Sequence, residues 1–158
     1  MANTLPDWGP PLRADGVIRE PHGDRRSACV HEADIAAVAA TALTTDGHAG
    51  QTNTLTGPEA LTPRDKVRHL ADATGRDLRF EEHTPQQARA LWTAEPPSPQ
   101  IYRVAPGGPA EKADFVIGLY ANVPESGATV TDVVERVTGR PARTYAQWAV
   151  EHADAFRG

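Results

Sequence analysis

No stretch of this chain carries the long Val/Ile run that the central strand of a parallel sheet requires. Such strands are buried on both faces and therefore read as continuous apolar segments. The strand candidates are all short: Val17 to Arg19, Arg26 to His31, Gln51 to Thr56 and Leu78 to Glu82. They are punctuated by Gly, Pro and Asp, as at Gly23-Asp24 and Gly57-Pro58. Between them lie longer segments with apolar residues three and four apart, the spacing of one helix face. The expected fold is α/β, with three or four short strands and five or six helices.

The helix boundaries follow from capping chemistry. Asp34 is expected to cap a helix whose apolar face is Ile35, Val38, Ala39, Ala42 and Leu43, ended by the turn Asp46 to Gly50. Thr62-Pro63-Arg64-Asp65 combines a capping Thr, a Pro at the first helical position and an acid two residues later. Val67, Leu70 and Ala71 form the inner face there, and Gly75 is a natural stop. Thr84-Pro85-Gln86-Gln87 repeats the logic ahead of Ala88, Leu91 and Trp92. Ala110 to Val123 is expected to be helical, with Ala113, Val116, Ile117 and Tyr120 on one face. A short helix from Thr131 to Thr138 ends at Gly139, and Thr144 caps a last one carrying Tyr145, Trp148, Ala149, His152, Ala153 and Phe156. Residues 1–16, rich in Pro, Gly and Asp, are expected to be irregular. Residues 93–109, with five prolines and Gly107-Gly108, are expected to form a loop without helix.

The net charge of −5 and the lack of any Lys/Arg cluster longer than Arg25-Arg26 argue against nucleic acid or an anionic membrane as partner. Cys29 is the single cysteine and cannot form an intrachain disulfide, which fits a reducing cytoplasm. Met1 to Trp8 lacks the pattern of a signal peptide, and no apolar stretch approaches the roughly 20 residues of a membrane span. Lys occurs only at 66 and 112 while Arg, Ala, Gly, Pro, Asp and Thr abound, the composition of a high-GC bacterial gene.

An ordered set of segments resembles one family. Val30-His31-Glu32-Ala33-Asp34-Ile35-Ala36 is similar to a strand-to-helix signature of extended and atypical short-chain dehydrogenases. Leu43 to Gly50 and then Thr54-Leu55-Thr56-Gly57-Pro58-Glu59-Ala60-Leu61-Thr62 resemble a passage of NmrA-like proteins in which the last strand of the main sheet gives way to a helix. Thr74-Gly75-Arg76 with Arg79-Phe80-Glu81, and Val130 to Thr144 with Trp148 and Phe156, resemble later parts of the same family. Only residues 93–109 fall outside the resemblance.

The resemblance implies an NAD(P)-binding Rossmann-like fold whose N-terminal half receives a pyrophosphate on a glycine-rich turn at a helix N-terminus. That turn is not found here: Gly9, Gly16, Gly23, Gly47/Gly50 and Gly107/Gly108 give no such spacing after a long apolar strand. Tyr102, Tyr120 and Tyr145 each lack a Lys four residues on. Met1 to Leu5 itself resembles the segment just after the sixth strand. The expectation is therefore a single C-terminal, substrate-side lobe over residues 1–158, with the dinucleotide-binding unit missing. The lobe alone would hold no cofactor, and NAD(P) would enter only with a cofactor-binding half. Its partner would be that half or a second copy, because the helices would expose the face that packs on the Rossmann sheet.

Site candidates follow. His31 and Glu32 stand where strand meets helix and are the candidate catalytic pair; His31 is also a candidate substrate contact. Arg25 and Arg26, in a polar turn, have the chemistry to hold an anionic ligand group. Asn3 aligns, by the resemblance, near the nicotinamide end of the cleft, a cofactor contact. His31 with Glu32 or Asp34 lacks a third metal ligand at recognisable spacing, so no metal is expected. Ser27, His31 and Asp34 lack a nucleophile elbow. Cys29 reads as a small buried hydrophobe with nothing cationic near it in sequence. Three readings remain: a split or truncated NmrA-like reductase lobe without redox activity alone; a free-standing small-molecule-binding protein or non-redox enzyme of cyclase or isomerase type; and an inactive truncated product.

Overall fold

The structure, a computed structural model, describes residues 1–97 and 100–157, apart from the side chains of Gln100 and Glu125. In chain order the elements are α1 (Thr4–Ala14), β1 (Val17–Glu20), α2 (Glu32–Thr44), α3 (Pro63–Thr74), β2 (Arg79–Glu82), α4 (Pro85–Ala94), α5 (Gln100–Val104), α6 (Pro109–Ala121), α7 (Val133–Thr138) and α8 (Tyr145–Glu151). Two 3₁₀ turns span Glu125–Ala128 and Ala153–Phe156. β1 and β2 run parallel, in register from Val17 opposite Arg79 to Glu20 opposite Glu82. The protein is thus α/β, with a short parallel sheet and many helices. Among the described residues it has two strands and eight α-helices, fewer strands and more helices than the sequence leads one to expect.

Where capping chemistry is explicit, structure follows sequence. Thr62 and Asp65 close a reciprocal box at the start of α3, Thr84 and Gln87 do so for α4, and Thr144 and Gln147 for α8. Gly75 and Gly139 end their helices in the left-handed region, with φ of 69° and 71°.

Two apolar clusters hold the fold. The larger joins Trp8, Leu12, Ile18, Val67, Leu70, Leu78, Tyr145, Trp148, Ala149 and Phe156, so α1, β1, α3, α8 and the last turn share one core. The smaller joins Ala88, Trp92, Tyr102, Ala105, Ala113 and Val116 on α4, α5, the residue after it and α6.

Five expectations are corrected. Residues 1–16 are not irregular: α1 forms despite Pro10 and Pro11, because Trp8 and Leu12, one turn apart, are buried in the main core. Burial outweighs poor helix propensity there. The 93–109 segment contains α5, anchored by the buried Tyr102, whose hydroxyl lies 2.9 Å from the carbonyl oxygens of both Trp92 and Pro109 and has one proton to share between them. Pro99, part of the expected loop, lies outside the described residues. Arg26 to His31 forms only one antiparallel bridge, Ser27 with Leu61. Gln51 to Thr56 joins no ladder among the described residues. These segments still approach one another. Gly57 N–H donates to the Ala28 carbonyl at 3.1 Å, and a Cβ on Gly57 would stand 2.1 Å from the Cys29 carbonyl oxygen, so only glycine fits.

The fifth correction concerns α2. His31, not Asp34, is its N-cap. The helix buries Asp34 and Val38, while Ile35 and Leu43 are 45% and 87% exposed. Of the expected apolar face only Val38 is buried; Ile35, Ala39 and Leu43 are exposed. Phe115 and Leu119 on α6 form a second exposed apolar pair, at 41% and 42%. Among the described residues no helix is long and apolar enough to cross a membrane.

Candidate functional site

His31 is buried and doubly engaged. Its Nδ1 accepts from the Ala33 N–H at 3.1 Å, the capping bond of α2. That bond places the proton of a neutral ring on Nε2, which lies 3.2 Å from Glu151 Oε2 and donates to it. Glu32 Oε1 accepts from Trp148 Nε1 at 3.0 Å and from His152 Nε2 at 3.1 Å. Partial burial works to raise the Glu32 pKa; the backbone N–H, Trp148, His152 and nearby His31 outweigh it and hold the carboxyl below its ordinary value. The pair thus joins the start of α2 to α8 and the turn after it.

Asp34 belongs to the same fastening. It is 2% exposed, accepts the Arg143 N–H at 2.8 Å and pairs with the Arg143 guanidinium. Asn3 is exposed at the N-cap of α1 and makes no side-chain capping bond.

Arg25 and Arg26 take a different place. They line an open cavity of about 450 Å³, together with His22, Asp24, Glu82, Tyr120, Val123, Pro124 and Ala128; neither His31 nor Glu32 does. The turn between β1 and α2 builds one wall. Arg25 N–H donates to the His22 carbonyl at 3.1 Å and closes the turn. At Gly23 a Cβ would meet the Phe80 ring at 2.7 Å, so the turn needs glycine there. His22 sits at φ 59°, a left-handed conformation costing roughly 1–3 kcal/mol in a non-glycine residue, which the surrounding turn imposes. Its Nε2 is shut off from solvent without a hydrogen-bond partner among the described residues.

Charge accounting separates the two arginines. Arg25 pairs with the buried Glu20, donates to the Pro21 carbonyl at 3.0 Å, and lies 3.9 Å from the centre of the Tyr120 ring. It is a structural cation, with Glu20 held in turn by Trp8 Nε1 at 2.8 Å. Arg26 donates to the Ala60 carbonyl at 3.3 Å and, among the described residues, has no carboxylate at ion-pair distance. Of the acids of the cavity, Glu82 is held by Arg64 and the Gly23 N–H, whereas Asp24 is 96% exposed with Arg64 4.0 Å away. Burial above all keeps the Tyr120 phenol protonated far above neutral pH.

Sequence reasoning missed His22 and Tyr120 as wall residues. His22 precedes Gly23-Asp24, the only local hint; Tyr120 was legible only as part of a helix face. Cys29 also differs from its expectation. Lys66 Nζ stands 3.1 Å from its Sγ and 2.7 Å from Ser27 Oγ, a cation supplied by α3 rather than by neighbours in sequence. Burial pushes the thiol pKa up, but the Lys66 ammonium and the Ser27 hydroxyl outweigh it and lower the value overall. Among the described residues no three His, Cys, Asp or Glu side chains gather closely enough to hold a metal.

Comparison with known proteins gives a consistent neighbourhood, although no family model matches the chain. A (4-alkanoyl-5-oxo-2,5-dihydrofuran-3-yl)methyl phosphate reductase of Streptomyces griseus is 38% identical over 99% of this chain and 51% of its own length. An NAD(P)H azoreductase of Xenophilus azovorans is 38% identical over 92% of this chain and 47% of its own. Among solved structures, the triphenylmethane reductase of Citrobacter sp. superposes with a TM-score of 0.70 at 16% identity, over 93% of this chain and 47% of its own. The NADPH-dependent quinone oxidoreductase of Escherichia coli gives 0.66 at 19% identity, over 94% and 51%. The chain spans about half the length of the curated relatives it matches. These two curated relatives are reductases, and the chain has the fold of about half of each of these solved reductases.

Proposed function

We propose that this chain is the substrate-side lobe of an NmrA-like NAD(P)H-dependent reductase, and that it transfers no hydride without a dinucleotide-binding half. The observation that carries this reading is the match at 38% identity across 99% of the chain to a reductase of which it spans only 51%.

Three features support it. The sheet has two strands among the described residues, too few to form a dinucleotide crevice at a topological switch point. The helices that follow β1 and β2 are capped from within: α2 by the His31 ring with Glu32 and Asp34 in its first turn, α4 by Thr84 and Gln87. Two carboxylates at the mouth of α2 oppose a pyrophosphate, so these residues do not fit the dinucleotide. Finally, the exposed Ile35 and Leu43 of α2 offer apolar side chains to a partner that brings the rest of a sheet. Asn3 would contact the cofactor only in such an assembly.

In the assembled enzyme the cofactor half supplies the hydride. This lobe supplies the acceptor's pocket, walled by the His22–Arg26 turn and by Tyr120 to Ala128. His31 and Glu32 hold α2 against α8 and position that wall's neighbour rather than act on substrate. A cytoplasmic setting matches the free cysteine. The alternative of a free-standing cyclase or isomerase needs His31 and Glu32 in the same pocket as Arg26, and neither lines the cavity.

The test is assembly. The chain is co-expressed with the part of the Streptomyces relative that it does not cover, and NADPH oxidation is followed with quinone, azo and butenolide acceptors. The expected result is a complex that oxidises NADPH, with no turnover by the chain alone. Failure of the two parts to associate, or turnover by the lone chain, contradicts the proposal.

A further inference from the structure

We propose that Cys29 and Lys66 are a covalent modification site: hydrogen peroxide joins them through a sulfenamide bond between Sγ and Nζ. The link would tie the segment entering α2 to α3, across 37 residues of sequence.

The fold brings the reacting atoms together. Lys66 Nζ lies 3.1 Å from Cys29 Sγ and 2.7 Å from Ser27 Oγ, and that hydroxyl stands 3.4 Å from the same sulfur. Backbone bonds fix the thiol's segment from three sides. Ser27 exchanges bonds with Leu61, just ahead of α3, at 3.0 and 3.1 Å. Ala28 donates to the Gly127 carbonyl at 2.9 Å and accepts from the Gly57 N–H at 3.1 Å. Lys66 is held in turn near the start of α3, between the Thr62–Asp65 capping box and the buried Val67. Cys29 and Lys66 are both only partly buried, so a small oxidant reaches the sulfur.

The surroundings decide the product. Cys29 is the single cysteine of the sequence, so once oxidised it finds no second thiol in the chain. Among the described residues Lys66 pairs with no carboxylate, and its nitrogen is directed at the sulfur and at Ser27. Burial pushes the thiol pKa up, but Lys66 and Ser27 outweigh it, which favours the thiolate, the nucleophilic form.

The reaction balances with one peroxide. The thiolate takes a hydroxyl from hydrogen peroxide as the O–O bond breaks, giving a sulfenic acid, and the released hydroxide removes a proton from the Lys66 ammonium to form water. A sulfenic acid condenses with a neighbouring nitrogen. The freed amine attacks sulfur, the S–N bond forms, and the sulfenic hydroxyl leaves with an amine proton as a second water. Sulfur loses two electrons and the peroxide gains them. No nucleotide or second half takes part, so the link is independent of the reductase reading.

The test uses the 158-residue chain at low micromolar concentration, treated with a small excess of hydrogen peroxide, quenched with catalase and digested with trypsin. Mass spectrometry is expected to show peptide 27–64 joined to peptide 65–68, lighter by two hydrogens than their sum, with cleavage after Lys66 lost. Dithiothreitol is expected to restore both peptides, because a thiol displaces the amine from sulfur. Lys66→Arg keeps a cation beside the thiol and removes the primary amine, and Lys66→Met removes both. Each is expected to abolish the link, and K66R to accumulate sulfenic acid, read as dimedone labelling several-fold above the parent. The proposal is overturned by oxidised Cys29 with Lys66 still cleaved, by a Cys29–Cys29 dimer in place of the internal link, or by a linked pair that carries an extra oxygen. The same linked pair in K66R, or a thiol inert to peroxide, overturns it equally.

Discussion

Replacing Asp34 by alanine removes the group that ties α2 to the segment entering α8. The carboxylate is 2% exposed and holds two donors from Arg143, the backbone N–H at 2.8 Å and the guanidinium. Truncation loses a charge-assisted bond of about 1.5–3 kcal/mol and leaves a buried N–H without an acceptor, roughly 1–3 kcal/mol more. The Arg143 side chain is 41% exposed and can turn to water, so the lower half of each range applies. The expected total is about 3 kcal/mol, which at roughly 2–4 °C per kcal/mol lowers Tm by about 10 °C. Asp34→Asn keeps an acceptor for the N–H and loses only the charge, about 1.5 kcal/mol. Urea unfolding followed by tryptophan fluorescence reads both variants. A D34A loss under about 1 kcal/mol, or D34N equal to D34A, would refute the fastening role.

Trp148→Ala, at the centre of the main core, is expected to cost about 3–5 kcal/mol and Trp148→Phe distinctly less, measured by the same unfolding assay. Acid stability has a definite sign. The Thr62 hydroxyl and N–H hold the Asp65 carboxyl below its ordinary value, so the stability it contributes is present above about pH 4 and is lost as pH falls through the depressed folded value. D65N keeps an acceptor oxygen but does not titrate, so its Tm is expected to fall less steeply below pH 4 than the parent's. Lys66→Met removes the cation that lowers the Cys29 thiol, and iodoacetamide labelling at pH 7.5 is expected to slow; equal rates would show that Lys66 does not activate it.

Legibility in the sequence followed the range of the interactions. The starts of α3, α4 and α8 were readable because each cap is completed within four residues, by Thr62 with Asp65, Thr84 with Gln87 and Thr144 with Gln147. The inner faces of α3, α4 and α6 were readable because each helix carries a single periodic apolar stripe that the core covers. α1 was not, because its prolines mask a helix that exists through burial of Trp8 and Leu12 against elements far along the chain. Gln51 to Thr56 has the alternation of a strand, yet alternation needs a ladder partner, and the described residues give it none. The α2 stripe is apolar as read, but only its Val38 is buried, since periodicity finds a face without saying what covers it.

The site divides the same way. Arg25 and Arg26 were found from a two-residue turn signal, and the structure places both on the cavity. Their difference in availability depends on Glu20 and Ala60, which no local pattern reveals. His31 and Glu32 were singled out for their position at a strand-to-helix junction, but their partners are Glu151, Trp148 and His152, over a hundred residues away. Family resemblance located the junction; packing decided what it does.

The central claim is that this lobe needs a separate half to hold a dinucleotide. Isothermal titration of NADPH into the 158-residue chain tests it most directly. No saturable heat is expected at micromolar nucleotide, and it is expected to appear only once a dinucleotide-binding half is added. A one-to-one isotherm with the chain alone would contradict it.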